Sequence, residues 1–295
     1  MTPHPALAAL LALLSAVGFS FSTSFQHLAA GRVHVDVTHP VRVLLSLLRS
    51  PRWIVGSMIG LTAWFLHALA LNLGTLALVQ PIILLGVVLA VFVRAAIDRR
   101  WPGRHEVLGV VVTIVSLIAV VSVADTEHRA VRPDTSAMLT VVAVALVIAV
   151  VVTRSSNQLP RRGVAAFTLG ATAGMLFGVT ACLMKVAGRA VGDHGVLGAL
   201  GTWSPWALLL GAFVAMSLNQ RAYQLSRLSH SMPVLNVTSV LLSIVLGALM
   251  FGENLSTAPL ALAVQALGLA GIAWGLFRIA DSPLVRPASV RADAP

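Results

Sequence analysis

The chain has 295 residues, of which 58% are hydrophobic and only 10% charged, and its mean hydropathy is +0.92. In a soluble domain about a quarter of the residues are charged. This composition therefore excludes an ordinary soluble protein and predicts an integral membrane protein. The formal net charge of +10 does not indicate a nucleic-acid partner, because the arginines lie in short segments between apolar runs, where they encode membrane topology. The single cysteine, Cys182, excludes a disulfide within the chain.

Nine apolar runs are candidates for membrane spans, since a bilayer core requires roughly 17–25 apolar residues in a helix. The runs are continuously apolar rather than alternating, which predicts helices and not a barrel. We therefore expect an all-α integral membrane protein with nine transmembrane helices. In chain order the runs are 6–25, 53–73, 76–93, 107–123, 138–152, 163–187, 205–223, 232–251 and 258–277.

The distribution of basic residues predicts the orientation. With nine spans, 16 of the 20 basic residues lie on the face that holds the segments after the odd-numbered helices. The other four are Arg129, Arg132, Lys185 and Arg189. The positive-inside rule then places the N-terminus outside and the C-terminus in the cytoplasm, and we expect the plasma membrane as the location.

The chain carries a weak internal repeat. A shift of 152 residues aligns residues 70–121 with residues 222–273 without a gap, with 11 of 52 positions identical, among them Pro81 and Pro233. Five spans separate the matched segments, so the two halves have opposite orientations, as in the inverted repeats of many secondary transporters. The alternative is coincidence between two hydrophobic hairpins. The predicted organisation is repeat one at 6–123, a linking helix at 138–152, repeat two at 163–278 and a polar, disordered cytoplasmic tail at 279–295.

No enzymatic or metal-binding motif is present, so we expect neither an enzyme nor a cofactor nor a metal site. The sequence lacks a Walker loop, an HExxH motif, a Cys-His cluster and a GxSxG motif. The expected partners are the lipid bilayer and a small solute or ion.

Polar residues inside the predicted spans are the candidates for a solute-binding cavity, because they are costly in lipid. For the amide side chains and for a neutral His67, the alternative role is hydrogen bonding between helices. For Lys185, the only lysine, the alternatives are snorkelling to the interface and binding of an anion. The candidates are His67, Asn72, Gln80, Lys185, Asn219, Gln220 and Asn236.

The ten acidic residues all fall in loops, at helix ends or in the tail, and none falls in the middle of a span. We therefore expect a cavity that is neutral to positive, with Lys185 near its outer mouth. A dehydrated divalent cation prefers negatively charged oxygen ligands, so this charge pattern favours a small organic solute over Mg²⁺.

Glycines four residues apart in the sixth run, Gly170, Gly174 and Gly178, leave one helix face bare. Such a face predicts close packing against a neighbouring helix. Gly271 and Gly275 repeat the pattern in the ninth run.

The stretch from His67 to Pro81 resembles the corner between helices 2 and 3 of the drug/metabolite transporter (DMT, EamA-like) superfamily, and within it the NIPA-like magnesium transporter branch. Other matching features are residues 218–222, Pro233, residues 251–254 and the position of Lys185. The resemblance covers roughly residues 6–278 and implies two inverted four-helix repeats linked by a central helix.

One departure from that branch concerns helix 2. The Gly-Glu pair of the eukaryotic branch corresponds to Ala63 and Trp64, and its Asn corresponds to His67, so an intramembrane carboxylate is missing. The first hypothesis is therefore a DMT-like transporter of a small solute that works by alternating access. The alternatives are a NIPA-like Mg²⁺ transporter and a membrane scaffold or lipid-handling protein that transports nothing.

Overall fold

The computed structural model describes residues 4–30, 49–97, 99, 101–124, 131–159, 161–225, 228–253 and 258–280. Within these residues the fold is entirely helical, which confirms the all-α part of the prediction. The helices are α1 (Pro5–Ala30), α2 (Pro51–Leu73), α3 (Leu76–Ile97), α4 (Arg104–Ser122), α5 (Thr135–Ser155), α6 (Arg162–Ala199), α7 (Ser204–Leu225), α8 (Leu228–Phe251) and α9 (Pro259–Ala280).

Each predicted run overlaps one of these nine helices, and the structure extends most of them by a few residues. Val123 and Ala258, at the ends of two predicted runs, lie one residue outside the helices. Eight are long and apolar enough to cross a membrane, so the protein is a multi-pass membrane protein by the character of its helices. The helix that does not meet this measure is α7, which carries Asn219, Gln220 and Arg221 in its last turns. Most of the predicted tail, residues 281–295, lies outside the described residues.

Helix α6 is longer than predicted, because it continues from the expected end at Ala187 to Ala199. The prediction stopped where Gly188, Arg189 and Asp193 interrupt the apolar run. Residues 191–198 are exposed, and polar side chains on an exposed helix are compatible with water beyond the lipid. The helical geometry is interrupted at Gly195, whose φ of 71° lies in the left-handed region that favours glycine.

Asp134 caps the N-terminus of α5, outside the span. Its carboxylate accepts hydrogen bonds from the backbone N–H of Ala137, at 3.0 Å, and from the hydroxyl of Ser136. These two donors hold the pKa of the Asp134 side chain below its ordinary value. The linking helix then buries only one stripe, formed by Met138, Val142, Ala145 and Ala149.

The packing follows a similar plan in the two halves of the chain. Helix α1 packs against α2 and α3, while α6 packs against α7 and α8. Helices α4 and α9 pack against each other and join the halves, and α5 lies against α6 and α7. Small residues allow close approach: the Ser15 hydroxyl of α1 donates to the Ala63 carbonyl of α2 at 2.7 Å.

The glycine face of α6 packs directly on the backbone of α8, as predicted. A Cβ at Gly170 would lie 2.8 Å from the carbonyl oxygen of Ser231, and a Cβ at Gly174 would lie 2.9 Å from the Cα of Leu235. Further along, a Cβ at Gly178 would lie 3.1 Å from the carbonyl oxygen of Ser239. Side chains at Gly170 and Gly174 would collide with backbone, which cannot rotate away, and a side chain at Gly178 would be tightly confined.

The glycines of α9 have the same role against α4. A Cβ at Gly275 would lie 2.6 Å from the carbonyl oxygen of Gly109, and a Cβ at Gly271 would lie 3.1 Å from the Cβ of Ser116. The interface between α4 and α9 is therefore as close as that between α6 and α8.

Candidate functional site

The chain breaks its helical path at Gly74 and Thr75, between the end of α2 and the start of α3. Both residues are buried, so the backbone groups that a helix end leaves unpaired need partners from the protein. The carbonyl of Leu73 accepts a hydrogen bond from the N–H of His4, at 3.3 Å. The N–H of Gly74 donates to the carbonyl of Ala70, and the carbonyl of Thr75 accepts from the N–H of Val79. Two charged side chains bind the carbonyl of Gly74 and the N–H of Leu76.

Lys185 of α6 is completely buried and reaches the turn. Its ammonium donates to the carbonyl oxygen of Gly74 at 2.9 Å and to Oε1 of Glu253 at 2.7 Å. It also lies 5.1 Å from the centre of the Phe251 ring, within the range of a cation–π interaction. The charge therefore has three partners, all of them within the bundle.

Glu253 follows the end of α8 and is also buried. Its two carboxylate oxygens accept from the N–H of Leu76, the first residue of α3, at 3.1 and 2.9 Å. Gly252 has a φ of 64°, a left-handed conformation that turns the chain sharply after α8. The N–H of Glu253 donates back to the carbonyl of Gly247 at 3.1 Å.

The polarity of the pair matches the two helix ends that it binds. The C-terminal end of a helix carries partial negative charge and the N-terminal end partial positive charge. Lys185 binds beside the C-terminal end of α2, whereas Glu253 binds the N-terminal end of α3. Each charge is thus stabilised by a helix end as well as by the opposite charge.

A second layer covers the pair. The guanidinium of Arg189 lies 5.3 Å from the centre of the Phe251 ring, on which Lys185 also lies. Arg189 donates to the carbonyl of Val131 at 2.6 Å, and Val131 lies beside Gly252. Above them an exposed ion pair joins Arg132 to Asp193 at 3.1 Å.

The ion pair lies close to one boundary of the membrane. Lys185 is 23 residues after Arg162, the first residue of α6, which corresponds to about 35 Å along a helix. Because a bilayer core is about 30 Å thick, a span that begins at Arg162 places Lys185 near the opposite boundary. We call this side the turn face; it also holds the α2–α3 turn and the end of α8.

His67 and Gln80 form a second buried polar contact between α2 and α3. The Nε2 atom of His67 lies 3.4 Å from Nε2 of Gln80, and the ring of Phe19 packs edge-on against His67 at 6.3 Å. Three helices, α1, α2 and α3, therefore contribute to this contact, which the structure brings together from two candidates 13 residues apart.

Asn72 lies near the same turn. Its amide donates to the carbonyl of Ala68 at 2.7 Å, within α2. The side chain fills the space beside Gly188 of α6, where a Cβ would lie 2.9 Å from its Oδ1. Asn72 thus lies one turn of α6 beyond Lys185, and the two candidates belong to one region.

The remaining candidates lie on α7 and α8. Asn236 donates to the carbonyl of Met232, at 2.8 Å, within its own helix. Gln220 is exposed, and its amide lies 3.8 Å from the sulfur of Met216. Asn219 is half-buried on α7. Their part in a common cavity stays a prediction.

Two expectations about charge need correction. Lys185 does not snorkel to the interface, because its side chain is completely buried. Its charge also does not make the outer mouth of a cavity positive, because the carboxylate of Glu253 balances it. Glu253 does lie at a helix end, as predicted, but it is turned into the protein, because the backbone of the α2–α3 turn supplies hydrogen bonds that replace water.

Two shallow surface grooves lie elsewhere. One, of about 330 Å³, is lined by residues of α4 and by Pro102 just before it. The other, of about 360 Å³, is an apolar groove between α6 and α8 that includes Met175 and Leu242. Both are open to the surface, and neither is lined by the polar candidates.

The chain is similar to a protein of known sequence over most of its length. An uncharacterized protein of Corynebacterium glutamicum is 25% identical over 248 residues, which cover 84% of this chain and 86% of the relative. No family model matches the chain, and no solved structure matches it. The relative has a similar length, and its printed name states no activity.

Proposed function

We propose that the protein is a transporter of the DMT type that moves a small organic solute across the plasma membrane by alternating access. The buried Lys185–Glu253 pair carries this proposal. Burial of charged side chains inside a membrane bundle costs free energy, and such side chains commonly mark pathways for solutes and ions. Here they join the two halves of the chain, close to a further polar contact between His67 and Gln80.

The packing supports the inverted repeat on which the DMT proposal depends. The neighbours of α1 within the first half correspond to those of α6 within the second half. Pro81 and Pro233, which the internal alignment matches, each lie five residues after the first residue of α3 and α8. In such repeats the solute site lies near the bilayer midplane, at the interface of the halves. Lys185 meets the α2–α3 turn at that same interface, nearer to one end of the helices.

The contacts of Glu253 favour an organic solute over Mg²⁺. Magnesium in proteins takes oxygen ligands in octahedral geometry, usually including carboxylates. Both oxygens of Glu253 are bound by Lys185 and Leu76. Among the described residues, no group of three His, Cys, Asp or Glu side chains could hold a metal ion. A NIPA-like Mg²⁺ transporter remains the alternative.

Uptake by proteoliposomes tests this function. We expect a screen of labelled carboxylates, amines, sugars and amino acids to identify a solute that wild-type protein accumulates, whereas a Mg²⁺-sensitive dye inside the vesicles shows no influx. Magnesium influx without organic uptake would select the alternative. No flux of either class would favour the scaffold or lipid-handling protein.

The His67–Gln80 contact provides a variant for the same assay. We expect His67→Ala to reduce solute uptake by roughly tenfold, a change that corresponds to about 1.4 kcal/mol, if this buried contact belongs to the pathway. Thr62→Ala is the matched control, because Thr62 is an exposed residue of α2, the helix of His67, and its hydroxyl donates to the Met58 carbonyl of the same helix. Equal losses in both variants would show that the His67 contact has no special role in transport.

We propose further that α7 crosses the membrane, so that the chain has nine spans with an external N-terminus and a cytoplasmic C-terminus. One face of α7 exposes large apolar side chains at helical spacing, which suits contact with lipid. They are Trp206, Leu209, Leu210, Phe213 and Met216. The turn face, which carries few basic residues, is then external.

Reporter fusions test the orientation. We expect an alkaline phosphatase fusion to be active at residue 202, after α6, and inactive at residue 226, after α7. A fluorescent protein fused to the C-terminus should fluoresce in the cytoplasm. The same reporter activity on both sides of α7 would contradict the ninth span.

A further inference from the structure

The two halves of the chain are tied together at the turn face by polar bonds. Lys185 and Glu253 belong to the second half, whereas Gly74 and Leu76 belong to the first. Water that reaches the pair can replace each of these hydrogen bonds. The glycine interfaces within the bundle are different, because they depend on close packing that water cannot replace. The pair lies near the membrane boundary, so water has a short distance to travel.

Glu253 is attached to α8 through Gly252 rather than being part of the helix. With a φ of 64°, this glycine sets the direction of the following residue by a single backbone rotation. The carboxylate therefore can leave the α2–α3 turn without unwinding α8. Phe251, which both Lys185 and Arg189 contact, adjoins the same glycine.

Cys182 lies next to the Lys185–Glu253 pair, further into the bundle. It is one turn before Lys185 on α6, and it is completely buried. It is also the only cysteine of the chain, so the native protein contains a single thiol whose labelling reports access to the inner side of the ion pair.

We propose that the Lys185–Glu253 pair is the gate of the turn face, and that the structure shows it closed. Opening breaks the bonds of Lys185 to Gly74 and of Glu253 to Leu76, separates the halves at this face and admits water as far as Cys182. This role rests on the proposed transport function, in which the two faces open alternately.

Labelling of Cys182 tests the gate without any substrate. A negatively charged, membrane-impermeant methanethiosulfonate reagent is applied to purified protein in vesicles of each orientation. We expect slow labelling of the wild type from the turn face. In Glu253→Gln and Lys185→Met the rate from that face should rise by about tenfold or more, a change in open population that corresponds to about 1.4 kcal/mol. The rate from the opposite face should stay at the wild-type value.

Two further variants make the result specific. Asp193→Asn removes the exposed ion pair on the same face and should leave the labelling rate unchanged. Glu253→Asp keeps the charge on a shorter side chain and should give an intermediate rate, even if the neutral variants do not fold.

Equal acceleration from both faces would indicate a loosened bundle and would overturn the gate. Wild-type rates in folded Glu253→Asp and Glu253→Gln would overturn it as well. The assay requires no solute, so it separates the two proposals. Faster labelling in the variants without any transport by the wild type would support the gate and contradict the transport function. Transport by the wild type with unchanged labelling in the variants would support the transport function and contradict the gate.

Discussion

Lys185→Met should lower the melting temperature of the detergent-solubilised protein by on the order of 10 °C, because breaking a buried ion pair costs about 3–5 kcal/mol. Methionine fills much of the space of the lysine but cannot donate to Gly74 or Glu253. The carboxylate of Glu253 then stays buried against Leu76 without a counter-ion. Thermal unfolding, monitored by size-exclusion chromatography of heated samples, measures the change in melting temperature. Asp193→Asn is the control. Removal of that exposed pair should change stability by about 0–1 kcal/mol.

Exchange of the two charges separates the stabilisation that comes from the helix ends from the stabilisation that comes from the ion pair itself. Lys185→Glu combined with Glu253→Lys preserves an attractive pair. It also places a carboxylate against the Gly74 carbonyl and an ammonium against the Leu76 N–H, so both helix ends meet the wrong charge. We expect the exchanged variant to be no more stable than Lys185→Met. Recovery of wild-type stability would show that the helix ends contribute little.

The helices could be predicted because lipid imposes a simple rule on each of them. A span requires a continuous apolar run of sufficient length, and a run such as 232–251 is read directly from the sequence. The structure starts this helix earlier, at Leu228, because residues at the boundary need no apolar character to continue a helix. For the same reason, the polar extension of α6 to Ala199 gave no hydropathy signal.

The ion pair was only half predictable. The sequence identified Lys185 as a costly residue in α6 but did not name its partner. The predicted topology narrows the choice, because it places five acidic residues on the same face as Lys185. They are Asp125, Glu127, Asp134, Asp193 and Glu253. Selection of Glu253 requires the packing of α8 against α6, which is a tertiary property, and the turn at Gly252 that aims the carboxylate inward.

The His67–Gln80 contact shows what sequence spacing can and cannot provide. The two residues lie on opposite sides of a short turn, so antiparallel helices place them at similar depth. Whether their side chains meet depends on the rotation of each helix about its axis, which α1 fixes by packing Phe19 against His67. By contrast, Asn236 bonds to its own helix, an outcome that its mid-span position did not indicate.

Gly174→Leu should be more disruptive than a typical surface substitution, because the new side chain would enter the backbone of α8. The Cβ alone would lie 2.9 Å from both the Cα and the carbonyl carbon of Leu235, and still closer to the carbonyl oxygen. A rotamer change cannot relieve a collision with backbone, so α6 and α8 must separate along their glycine face. Overpacking of a well-packed interior commonly costs about 1–3 kcal/mol, and we expect a loss of about 3 kcal/mol or more here.

Gly192→Leu is the matched control on the same helix. A Cβ at Gly192 meets no atom within 4 Å, and leucine has a higher helix propensity than glycine. Its melting temperature should therefore equal or exceed that of the wild type, whereas Gly174→Leu should elute as aggregate or melt well below it. Equal stability of the two variants would mean that α6 and α8 pack less closely than the structure shows. The contrast between the two glycines also separates the role of α6 along its length. The segment around Gly174 packs on α8 and holds the bundle together, whereas residues 191–198 are exposed.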